Sequence, residues 1–79
     1  YVSFDLDGFD ASLMPATGTP EPGGLMWDDA VRILDAASRV SSFVGADINE
    51  LAPVKQMHYC DFLAAKLAYK ILSYAFRKK

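Results

Sequence analysis

The chain has one cysteine and one histidine in its 79 residues. A lone thiol excludes an intramolecular disulfide and fits a reducing compartment weakly. One Cys with one His also excludes the paired ligands of an ordinary structural zinc site. Long apolar runs are lacking too. Hydrophobic residues make up 52% of the chain, yet no run reaches the ~18–20 residues that span a bilayer. Neither sign of charge is in excess, since 8 Lys+Arg against 10 Asp+Glu leave a net charge of -2. That balance gives no electrostatic footprint for nucleic acid. The basic tail Arg77-Lys78-Lys79 reads as a solvated terminus. Internal repeats and low-complexity segments are absent. What remains is a chain of water-soluble globular type, long enough for one small domain.

The most informative stretch is Phe4-Asp5-Leu6-Asp7-Gly8-Phe9-Asp10. Tyr1-Val2-Ser3-Phe4 ahead of it is β-branched and aromatic, and residues 1–6 read as a strand buried on both faces. With period-two alternation, Asp5 and Asp7 share one side of that strand and Leu6 takes the other. Two adjacent carboxylates repel, and burying them unpaired is costly. A divalent cation neutralises such a pair. A strand at the first residue, with no Met or cap before it, leads us to expect the C-terminal piece of a longer chain.

Pro15, Thr17, Gly18, Thr19, Pro20, Pro22, Gly23 and Gly24 punctuate residues 8–25, which read as a long ordered loop. Trp27, Val31 and Leu34 recur at helical spacing, which predicts a helix from Trp27 to about Arg39. Asp28 and Asp29 in its first turn suit the helix dipole, and Arg32 stands four residues after Asp28 as a surface pair. Met26 offers no side-chain cap at its start. Ser42–Ile48 reads as a second strand, ending in Asp47 and Glu50 and closed by Pro53. A strand–helix–strand unit implies a parallel pair. Acidic residues at the carboxyl ends of parallel strands are placed as in the site of an open α/β sheet. A last helix is expected from Asp61 to about Phe76, with Phe62, Ala65, Tyr69, Leu72 and Phe76 on its apolar side and Leu63, Leu67 and Ile71 widening it. Trp27, Phe43 and the tyrosines read as core. His58 reads as a structural or pocket-rim residue.

The carboxylates admit three readings. An EF-hand loop fails, because Gly8 comes too early and no helix precedes it. Val2-Ser3-Phe4-Asp5-Leu6-Asp7-Gly8 fits a haloacid-dehalogenase-type phosphatase as far as Gly8, but Phe9 stands where Thr or Val is expected. A third reading uses nearly the whole chain. Ser3-Phe4-Asp5-Leu6-Asp7-Gly8-Phe9-Asp10, then Pro15-Ala16-Thr17-Gly18-Thr19-Pro20, then Asp47-Ile48-Asn49-Glu50-Leu51-Ala52-Pro53 stand in linked order. This pattern resembles the arginase/agmatinase family, the ureohydrolases, and the tail Asp61–Leu67 is most like agmatinase members. Ala11 departs from it, standing where proline is usual.

The resemblance implies an α/β fold, with residues 1–79 forming the C-terminal β-α-β-α portion of a three-layer sandwich with a parallel sheet. It implies two Mn²⁺ ions in the complete enzyme, Asp5 bridging both and Asp7 binding one; hard oxygen ligands suit that metal. Glu50 would hold the guanidinium of a small substrate; by its residue type alone it reads equally as a surface acid. Asp10, Thr19 and Asp47 would orient ligands or shape the pocket. The implied reaction hydrolyses a guanidino compound, agmatine to putrescine and urea first, with arginase or guanidinobutyrase specificity as alternatives. A homotrimer or homohexamer follows from the same resemblance; charge and run length lead us to expect no nucleic-acid or membrane partner, and cytoplasm is the default location, with mitochondria open. The family's other ligand motifs, Gly-Gly-Asp-His and Asp-x-His-x-Asp, are not in these residues. The 79-residue piece alone is therefore expected to be inactive.

Overall fold

The computed structural model describes residues 1–77. Strand β1 (Val2–Asp5) leads into a 3-10 turn (Leu6–Gly8), helix α1 (Trp27–Val40), strand β2 (Ala46–Asn49) and helix α2 (His58–Ala75). The strands pair in parallel, Val2 with Ala46, Ser3 with Asp47, Phe4 with Ile48 and Asp5 with Asn49. The connection between them is long enough to hold α1, as a parallel crossover requires. The expected β-α-β-α order and parallel sheet are both present.

β1 alternates half-buried Val2 and Phe4 with exposed Ser3 and Asp5. Val2, Phe4 and Ile48 pack on the core that α1 and α2 build. Ser3, Asp5, Asp47 and Asn49 occupy the alternate positions of the two strands, as strand periodicity requires. The expectation of a strand buried on both faces is thus corrected. Phe9 is the centre of the core, with its ring 5.1 Å from Phe4 and stacked 6.3 Å from Trp27. Leu6, Met14, Leu67 and Cys60 are fully buried with it.

Element boundaries differ from the sequence reading at three places. β1 stops at Asp5 because Leu6 turns inward to the core and the chain tightens into a 3-10 turn. β2 starts at Ala46 and not at Ser42, because the first rung of the ladder is Val2 with Ala46. α2 starts at His58 and not at Asp61, which falls within its first turn. His58 itself is exposed.

The apolar side expected for α2 holds at Leu67 and Ile71 and fails at its centre. Cys60, Leu67, Ile71 and Tyr74 are buried, whereas Phe62, Tyr69, Leu72 and Phe76 face out. Tyr1, Tyr59 and Tyr69 are exposed, so Tyr74 is the one tyrosine of the core. The start of α1 gains half a capping box: Met26 N–H donates to the Asp29 carboxylate at 3.0 Å. The surface ion pair of α1 joins Asp35 to Arg39 (3.1 Å), and Asp28 does not pair with Arg32 among the described residues. Arg77 is no solvated end. Its guanidinium lies 2.6 Å from Asp35, donates to Ser38 at 3.2 Å and stacks over Tyr74, fastening α2 to α1. Lys78 and Lys79 lie outside the described residues.

The long loop is tied across its base. Asp10 N–H donates to Leu25 O, Ala11 N–H to Glu21 O and Leu25 N–H to Gly8 O, at 2.8 to 2.9 Å. Gly24 makes this closure sterically feasible, since a Cβ there would lie 2.6 Å from Asp10 N and Phe9 C. Gly24→Ala should therefore cost about 1–3 kcal/mol. Gly18→Ala, with nothing within 4 Å of its new Cβ, should change stability by under about 0.5 kcal/mol. Urea midpoints of the two variants check the contrast, and equal midpoints would contradict the close approach.

Candidate metal and substrate site

Asp5 is the last residue of β1 and the cap residue of the 3-10 turn. It is exposed, and its strand partner is Asn49 at the end of β2. Asp7 lies inside the turn and is half-buried. The Asp5–Asp7 relation is therefore set by a 3-10 turn whose middle residue, Leu6, is locked in the core, and not by strand alternation. Thr19 reaches back from the loop, and its Oγ1 donates to Asp7 Oδ2 at 2.9 Å. That bond fixes one carboxylate oxygen and leaves the other free to bind.

Asp10 does different work from Asp5 and Asp7. Its carboxylate accepts from Ser12 Oγ, from Ser12 N–H (2.9 Å) and from Gly23 N–H (2.7 Å). Hydrogen bonds to the charged form favour it. The Ser12 hydroxyl first, then the Ser12, Gly23 and Gly24 backbone, lower the Asp10 pKa from 3.8 to about 2. Asp10 thus pins the two ends of the loop that carries Thr19.

Asp47 faces Ser3 across the ladder. Tyr1 Oη and Ser3 Oγ both donate to it at 2.8 Å, and Asn49 Nδ2 donates as well. The Tyr1 bond above all, then those from Ser3 and Asn49, hold its pKa below the usual carboxylate range. Tyr1 and Ser3 had no assigned role from sequence, because their partner is known only once the register is. Glu50 follows β2 directly, exposed, with φ of 74°. A non-glycine residue in this region is uncommon and costs about 1–2 kcal/mol. The next segment is anchored where Ala52 N–H donates to Ala16 O at 2.8 Å. Thr17 Oγ1, in the same loop, is buried without a hydrogen-bond partner among the described residues.

The parallel register thus brings Asp5, Asp7 with Thr19, and Glu50 to the carboxyl ends of both strands. Asp10 and Asp47 are engaged in holding backbone and strands. Among the described residues, no group of three or more His, Cys, Asp or Glu side chains is placed to hold a metal ion. Asp5 and Asp7 are suitable hard oxygen donors for Mn²⁺, but they are a partial set.

Residues 1–73 match the arginase family. The chain belongs to the arginase family. It is similar to the N(1)-aminopropylagmatine ureohydrolase of Synechocystis sp., with 42% identity over 74 residues, 94% of this chain and 24% of the relative. Its fold is similar to the proclavaminate amidino hydrolase from Streptomyces clavuligerus, with a TM-score of 0.85 and 32% identity over 95% of this chain and 26% of that one. The agmatine ureohydrolase of Thermoplasma volcanium gives a TM-score of 0.80 at 39% identity, over 95% of this chain and 25% of that one. The chain spans about a quarter of the length of these relatives. A phosphatase reading of the Asp-x-Asp-Gly stretch is set aside by the match, which runs on through the loop, α1, β2 and most of α2.

The Asp10 pKa has a consequence for acid stability. A depressed carboxylate contributes stability above its unfolded pKa, and that contribution is lost as pH falls toward the folded value. Between pH 4 and pH 2, the native chain should lose stability more steeply than Asp10→Asn, which does not titrate. Above pH 5 the gap between the two should be constant. Parallel urea midpoints for both proteins across pH 2–6 would contradict the loop-pinning role.

Proposed function

We propose that this chain supplies two metal ligands and the substrate carboxylate of a guanidino-compound hydrolase. The observation that supports the proposal is the register, which pairs Asp5 with Asn49, so that Asp5, Asp7 and Glu50 all follow the carboxyl ends of the parallel β1–β2 pair. Asp5 and Asp7 would contribute to holding two Mn²⁺ ions. When bound, such a pair acts as a Lewis acid and activates water near neutral pH. Ligands outside these 79 residues complete the set.

The chain's own residues then have distinct tasks. Thr19 holds Asp7 in one orientation through the 2.9 Å bond. Glu50 presents a carboxylate to a planar guanidinium, which can donate two parallel, charge-assisted hydrogen bonds to it. That pairing fixes the plane of the substrate and so the face of its central carbon. The Ser3–Asp47 bond holds β1 and β2 in the register that pairs Asp5 with Asn49, the residue before Glu50. Hydrolysis would release urea and the corresponding amine. Agmatine and N(1)-aminopropylagmatine both present the required guanidinium, and relatives acting on each are similar to this chain. Cytoplasmic action as a homo-oligomer accords with the family reading.

A full-length ureohydrolase carrying this segment should release urea from agmatine in a manganese-dependent way. Asp5→Asn should lower kcat by at least about a hundredfold, since a metal ligand would be lost. Glu50→Gln should act mainly through KM, by weakening a charge-assisted pair. The 79-residue chain alone should release no urea when supplied with manganese and agmatine. Saturable release from it would overturn the reading of an incomplete site.

A further inference from the structure

Thr17 is only 8% exposed, and its Oγ1 has no hydrogen-bond partner among the described residues. A hydroxyl placed so has lost its water and gained nothing in return, which is the unfavourable case of burial. The burial is complete within residues 1–77, so no group from outside reaches the hydroxyl while the loop is closed. A second unfavourable feature lies across a short contact. Glu50 holds φ at 74°, where an L side chain crowds the following carbonyl. One backbone bond joins the two. Ala52 N–H donates to Ala16 O at 2.8 Å, and among the described residues it is the one backbone hydrogen bond from residues 51–53 to another part of the chain. Ala16 precedes Thr17, and Ala52 stands two residues after Glu50. Features of both kinds gather where a segment is poised to switch.

We propose that residues 15–19 and 50–52 form a strap that opens as one unit at the Ala16–Ala52 bond, and that Thr17 is a positioning residue for Glu50. Opening gives the Thr17 hydroxyl to water and lets Glu50 leave the left-handed region. Closing is held by the Ala16–Ala52 bond, by the 2.9 Å bond from Thr19 to Asp7 and by the full burial of Ala16. Both unfavourable features belong to the closed state, so each shortens the time that the other's segment stays in place. Thr17 thereby governs, through Ala16 and Ala52, how long the Glu50 carboxylate is held after β2. The base of the loop takes no part. There the Asp10, Ala11 and Leu25 amides bond across the loop, and the Asp10 carboxylate accepts from Gly23 N–H. Sub-global opening confined to weakly tied segments is an ordinary motion of a folded chain.

The strap needs neither metal nor substrate, so its test is separate from that of the hydrolase reading. Amide hydrogen exchange is followed by mass spectrometry in a full-length ureohydrolase carrying this segment, with no manganese or agmatine added. In the native sequence the Thr17 and Ala52 amides should have matching protection, at least about tenfold below that of Asp10 and Leu25. Thr17→Val keeps the shape of the side chain and removes the hydroxyl. It should slow exchange at Ala52 by at least about fivefold. Glu50→Asn places a residue more at ease in the left-handed region, and should slow exchange at Thr17 by about threefold or more. Thr17→Ser keeps the hydroxyl and should leave Ala52 no slower than in the native sequence. Ala52 as well protected as Asp10 and Leu25, or substitutions that act only within their own segment, would overturn the proposal. So would faster exchange at Ala52 in Thr17→Val, since the hydroxyl would then be what holds the strap shut.

Discussion

The parallel pairing of β1 with β2 carries the rest of the structure. Four rungs join strands more than forty residues apart in sequence. Backbone bonds supply the ladder, and Asp47 stitches it from β2 to Ser3 of the neighbouring strand and to Tyr1 just before it. A one-residue slip would turn Val2 and Phe4 out of the core. It would also move Asp5 away from the end of β2. Register, core and site are thus one constraint seen three ways.

Hydrophobic anchoring then refines what the register places. Leu6, fully buried between two carboxylates, converts the end of β1 into a turn. Phe9 does the same from the far side of Gly8, through its contacts with Phe4 and Trp27. The acidic groups stay accessible because their neighbours in sequence are held inside. The loop that follows gains its order from few bonds, chiefly those to Asp10 and across its base. Through Ala52 and Ala16 it is linked to the segment after Glu50. The loop supporting Asp7 and the segment after Glu50 are therefore tied by a backbone hydrogen bond.

Order and type of the main elements were legible in the sequence because each has a strong local signal. Trp27, Val31 and Leu34 mark α1 at helical spacing, and Pro and Gly mark the loop. The site motifs were legible for a different reason, as linked patterns that resemble a family. What was not legible depended on tertiary partners. The 3-10 turn exists because Leu6 finds a core, which alternation cannot foresee. α2 is apolar around most of its circumference, so periodicity could not tell the face against the sheet from the face left open. Asp47 and Ser3 meet only through the register, and Arg77 finds Asp35 only through the packing of two helices.

Glu50 gives the structure an asymmetry between durability and usefulness. Its backbone sits where glycine or asparagine would rest more comfortably. A laboratory selection that rewards heat resistance alone would drift at this position, exchanging the carboxylate for a relaxed turn. On the role proposed for Glu50 in holding a guanidinium, selection for turnover would pull the other way. Residue 50 is where a thermostabilised library of this segment should be screened for lost chemistry before any core position.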